Sequence, residues 1–116
     1  MTEMTTAKRG GRKADPVTAI LAEIKALVKD RQGEPLPLRG GLNSESGRLH
    51  YVEQEGRWSA INAARSVAGT LGKDGLILED AFAALGEVDD ADVRRALVLL
   101  AAEAISAVED IDRRSE

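Results

Sequence analysis

The chain contains no cysteine. Disulfides, thiol nucleophiles and cysteine-ligated metals are therefore excluded. It has one histidine, His50, so a zinc site built on a histidine pair has no ligands within the chain. Aromatic residues are almost missing, with only Tyr51, Trp58 and Phe82 present. The core must instead come from Ala, Leu, Val and Ile, which favours helices packed closely on one another. No apolar run approaches the ~18 residues of a membrane-spanning helix. The opening residues MTEMTTAKRGGRKADP lack the apolar stretch of a secretory signal, so a cytoplasmic protein is expected. Phosphate-binding loops are missing too. LRGG, residues 38–41, is not followed by Gly-Lys-Ser/Thr, and GxGxxG does not occur.

What is present is charge of both signs, unevenly spread. The net charge is −4. Residues 1–14 hold Lys8, Arg9, Arg12 and Lys13 against Glu3, a basic arm of +3. Residues 15–72 balance. Residues 73–116 hold five basic and twelve acidic groups, a net −7. Residues 1–14 have no apolar periodicity and read as a flexible arm.

Residues 15–113 read as one small all-α domain of four helices, followed by a tail over 114–116. Asp15-Pro16 opens the first helix, with Asp as cap and Pro at the first helical position. Val17, Ile20, Leu21, Ile24, Leu27 and Val28 follow at spacings of three and four. Gln32-Gly33 ends it. Residues 33–47 are rich in Gly and Pro and read as an irregular loop. Residues 48–53 alternate loosely, as a short strand or as the start of a helix, and pairing with residues 36–39 would make a minor β-hairpin. A second helix is expected over Trp58–Leu71, burying Trp58, Ile61, Ala64, Ala68 and Leu71, with Gly72 as its stop. Lys73-Asp74-Gly75 then reads as a turn. Leu78, Ala81, Phe82 and Leu85 mark a short third helix ended by Gly86. Asp89 or Asp90 caps the last, which reaches residue 113 with an acidic first turn and Arg113-Arg114 suited to the helix dipole.

Five candidate sites follow. The only histidine, tyrosine and tryptophan fall together in RLHYVEQEGRW, residues 48–58. His50 as a base, oriented by Glu53 or Glu55, would need a nucleophile. Ser44, Ser46 and Ser59 stand at no spacing that supplies one. Trp58 is expected to anchor the core instead. Arg48, Tyr51 and Arg57 belong to the residue types enriched at binding hot spots, and form a candidate partner contact. The arm KRGGRK offers Lys8, Arg9, Arg12 and Lys13 to nucleic-acid phosphates. It lacks the proline that an AT-hook core requires after Gly-Arg. A helix-turn-helix built on GKDG fails, because its recognition helix would carry Glu79, Asp80 and Glu87 and no base. Asp89, Asp90 and Asp92 do not follow a calcium-loop spacing, so no metal is expected. Along the last helix apolar residues exceed one stripe. Val93, Leu97, Leu100, Ala104, Val108 and Ile111 make one face, and Val98, Leu99, Ala102 and Ile105 spread beyond it. Leu99 is therefore a candidate contact with a second copy.

The expectation is a non-catalytic helical binding module without cofactor, acting through protein–protein contacts as a homodimer. The alternative is a nucleic-acid-associated protein using the basic arm.

Overall fold

The structure is a computed structural model and describes residues 15–115. The basic arm, residues 1–14, and Glu116 lie outside the described residues. Among those described, the secondary structure is all-helical: α1 (Pro16–Asp30), α2 (Ser44–Ala68), α3 (Lys73–Gly86) and α4 (Asp90–Arg114). α1 belongs to one compact unit, which ends at Gly33. The other helices belong to a second unit, which begins at Glu34.

α1 starts as its sequence dictates. The Asp15 side chain accepts from the Val17 backbone N–H at 3.1 Å, and Pro16 follows in the first turn. Ile20 is its one buried residue, while Leu21, Ile24, Leu27 and Val28 remain exposed.

The second unit departs from expectation at α2. Residues 36–39 and 48–53 form no hairpin, and Arg48–Glu53 is helical. The helix begins fourteen residues before Trp58 because Asn43 caps it, its side chain accepting from the Ser46 backbone N–H at 2.9 Å. Glu45 then sits in the first turn, where the dipole favours a carboxylate. Gly69, not Gly72, terminates α2. Its φ of 74° is left-handed, which a glycine adopts without penalty. Gly72 instead precedes α3, and Lys73-Asp74-Gly75 is the first turn of that helix rather than a separate turn. α3 and α4 otherwise hold the expected bounds to within a residue or two. Asp89 occupies the cap position of α4, although its side chain makes no capping hydrogen bond.

α3 packs against both α2 and α4, and α2 and α4 do not meet. The α2 seam follows Arg48, Tyr51, Glu55, Trp58, Asn62 and Arg65, alternating spacings of three and four, all buried or half-buried. This corrects the expected stripe of Trp58, Ile61, Ala64, Ala68 and Leu71, of which the last three are exposed. α2 and α3 run antiparallel, with Asn62 against Gly75 at one end and Val52 against Gly86 at the other. Both glycines allow close approach: a Cβ on Gly75 would collide with the Asn62 side chain, and one on Gly86 would press on Val52. The core of this unit is thin. Ala84 is its one fully buried apolar residue, and no large side chain of the described residues is completely enclosed.

Candidate protein-contact surface

The residues singled out in RLHYVEQEGRW lie on the first half of α2, but face different ways. Arg48 turns inward. It holds Glu45 through two hydrogen bonds of 2.9 and 2.7 Å and donates to the Gly86 carbonyl at 3.0 Å. That carbonyl is one of those a helix leaves unpaired at its C-terminus. Arg39 donates to two neighbours, the Leu85 carbonyl at 2.8 Å and the Glu87 carbonyl at 3.4 Å. Two guanidinium groups therefore close the negative end of α3, the end at which the dipole favours a cation. The Arg48 hydrogen bond also holds the Glu45 carboxyl below the ordinary carboxylate range.

Tyr51 is half-buried and stacks on Phe82 of α3, with ring centroids 6.1 Å apart and planes at 22°. His50 is exposed, its ring set edgewise to Tyr51. Among the described residues no hydrogen bond joins His50 to Glu53 or Glu55. Arg57 is exposed. Trp58, expected as the core anchor, is half-buried at the seam instead, with the Arg65 guanidinium 5.5 Å from its ring. Beside this seam runs an open groove of about 320 Å³, lined by Val52, Glu55, Phe82, Ala83, Gly86 and Glu87. Its lining is mixed, with Val52, Phe82 and Ala83 beside Glu55 and Glu87, whose carboxylates join no ion pair among the described residues.

Asn62 is the polar residue that the sequence reading passed over. It is 6% exposed and donates to the Gly75 carbonyl at 2.9 Å and to Glu79 Oε1 at 2.7 Å. Burying an amide costs free energy unless hydrogen bonds compensate: both bonds of Asn62 come from Nδ2, while its Oδ1 is buried with no partner among the described residues. Its spacing from Trp58 and Arg65 was the available signal. Across α3, Lys73 donates to Glu103 at 3.2 Å and to Ser106 at 2.8 Å, tying the start of α3 to the middle of α4. Burial, followed by the neighbouring Glu103 and Glu79 carboxylates, pushes the Asp80 carboxyl up.

Leu99 lies on α4, which packs on α3 but does not meet the helix of Arg48 and Tyr51, and is 56% exposed. It is not alone. Val98 beside it is 55% exposed, and Leu97, Val108 and Ile111 are also open to solvent. The four residues expected to meet a partner are therefore not one patch. Arg48 and Tyr51 serve the α2–α3 seam, Arg57 is solvated, and Leu99 belongs to a separate apolar face. No described helix is long and apolar enough to cross a membrane. No group of three or more acidic or histidine side chains among the described residues could hold a metal ion.

The chain matches no protein-family model, no curated protein and no solved structure.

Proposed function

We propose that this chain is a non-catalytic helical binding module, a small accessory or assembly protein of the cytoplasm that works through protein–protein contacts as a homodimer. The observation that carries the reading is the open face of α4. A stable domain packs two layers of secondary structure around a shared core. Here α3 is covered on two sides by helices that do not meet, and α4 leaves Val98 and Leu99 more than half exposed. Large apolar side chains left open along one helix, and not scattered singly over the surface, point to an interaction site. Leu99 belongs to that surface. Arg57 is free to join a contact, and Arg48 and Tyr51 contribute by holding the α2–α3 pair rigid.

Sedimentation equilibrium at micromolar concentration tests the reading. A dimer mass is expected, lost on changing Leu99→Glu while helicity by circular dichroism is retained. A monomer mass at every concentration overturns it.

The basic arm supports a second reading, contact with nucleic-acid phosphates through Lys8, Arg9, Arg12 and Lys13. Its charge of +3 stands against −7 over residues 73–116, so the cationic groups are segregated. Gel-shift binding that falls steeply with salt and disappears without residues 1–14 would favour it. Absence of binding at low salt removes it.

A further inference from the structure

α4 presents two faces with different company. Ala96, Leu100, Glu103 and Ala107 are half-buried at spacings of four, three and four, and Glu103 is tied to Lys73 of α3. This stripe faces α3. On the opposite side of a 3.6-residue helix stand Val98, Ala101, Ala102 and Ile105 in the middle. The same side carries Arg94 and Arg95 toward the N-terminus, with Asp90 at its edge, and Glu109 and Asp112 toward the C-terminus, with Arg113 at its edge. The outward face is thus an apolar centre with a net cationic end and a net anionic end, and Asp90 and Arg113 at its edges would also face one another across an antiparallel pair.

That polarity selects a partner. From Arg95 to Glu109 is fourteen residues, or ~21 Å along the axis at ~1.5 Å per residue. The Debye length in physiological salt is ~8 Å, so the two ends cannot compensate one another within one chain. They can across a two-fold axis. We infer that a second copy lies antiparallel along α4, with the axis passing beside Ala101 and Ala102. The inference rests on the homodimer reading above and specifies its geometry, placing Leu99, three residues from Ala102, at the rim of the interface and not at its centre. Antiparallel pairing sets Arg94 and Arg95 of each copy opposite Glu109 of the other, and Val98 opposite Ile105. The alanines at the axis let the backbones approach to the ~8 Å end of the usual interhelical range. Parallel pairing would set arginines against arginines and carboxylates against carboxylates. Arg95 already holds Asp92 at 2.8 Å, an exposed pair three residues apart and of little strength, so it remains available across the interface. A two-fold interface uses one patch twice, and this face is complementary to itself in one orientation only.

The chain has no native cysteine, which makes single-cysteine variants of the full protein clean probes. Ala102→Cys should form a disulfide-linked dimer on oxidation. In an equimolar mixture, Val98→Cys and Ile105→Cys should link to one another, and neither should link to itself. In a separate series, Arg94→Glu with Arg95→Glu should weaken the dimer about tenfold at ~0.1 M salt, and much less at ~1 M. Adding Glu109→Arg and Asp112→Arg in the same chain should restore it. Links of Val98→Cys to itself and of Ile105→Cys to itself would overturn the antiparallel arrangement, as would charge reversal without effect on affinity. A dimer mass without any Ala102→Cys link would move the interface to another face and overturn the inference while keeping the dimer. A monomer mass throughout would remove the dimer itself.

Discussion

Gly86 of α3 lies so close to Val52 of α2 that a Cβ on it would stand 2.9 Å from Val52 Cγ2 and 3.3 Å from the Val52 backbone nitrogen. Helix propensity favours alanine over glycine by about 1 kcal/mol at an ordinary helical site. At Gly86 the collision should win, because the backbone of α2 has to move. Gly86→Ala is expected to destabilise by about 1–3 kcal/mol, in the range of overpacked cores. Gly56 is the control. It sits inside α2 with open space where a Cβ would go, so Gly56→Ala should stabilise by about 0.5–1 kcal/mol. Urea melts of the two variants check both signs. Equal effects would show that the two helices are not in close contact at Gly86.

Asn62 is expected to stabilise the α2–α3 seam although it is polar. Its amide satisfies the Gly75 carbonyl and Glu79 in a buried place. Asn62→Ala removes both bonds and leaves their partners without them, at a cost of about 1–3 kcal/mol. Ala63 next to it is exposed, and Ala63→Ser should change stability by less than about 0.5 kcal/mol. Chemical denaturation compares them. A cost for Asn62→Ala as small as for Ala63→Ser would remove Asn62 from the seam.

Trp58 should behave as a half-covered residue. Full burial would make Trp58→Ala cost about 3–5 kcal/mol, and a smaller loss is expected here. The Arg65 contact is worth about 0.5–1 kcal/mol at an exposed site. Iodide should quench the emission of this single tryptophan partially, and Arg65→Ala should increase the quenching. A fully protected tryptophan would restore it to the core.

Asp80 gives a pH dependence whose sign can be worked out. Burial and the Glu103 and Glu79 carboxylates hold its folded value above the unfolded one. The native state then binds the proton more readily than the unfolded state, so this group lowers stability as pH rises through the carboxylate range. Asp80→Asn should therefore raise the melting midpoint near pH 7, with the gain vanishing at about pH 3, where the carboxyl is protonated in both states. Glu45 acts in the opposite sense. Arg48 holds its value down, so its contribution is present above the unfolded value and is lost as pH falls. A gain for Asp80→Asn that persists in acid would point to helix propensity rather than to charge.

The sequence by itself determined that the described chain is helical, and where most of the helices begin and end. The Asp15-Pro16 start and the span of α4 are written in local chemistry: a cap, a fixed φ, a run of apolar spacing. The first half of α2 was not legible in that way. Its seam carries Arg48, Glu55, Asn62 and Arg65, so apolar periodicity does not reveal it, and Gly47 falls in the stretch that read as a loop. Arg48 and Asn62 belong on that face because α3 supplies the carbonyls of Gly86 and Gly75 opposite them, and Arg65 because α3 supplies Asp74. Gly75 and Gly86 likewise looked like punctuation, when their task is to let a neighbouring helix come near. Only the tertiary structure decided these points, since each depends on an atom contributed by another helix. It also decided which apolar residues of α4 meet α3 and which stand open. The excess of apolar residues was visible in the chain, but a helix read alone does not say which side its neighbour occupies.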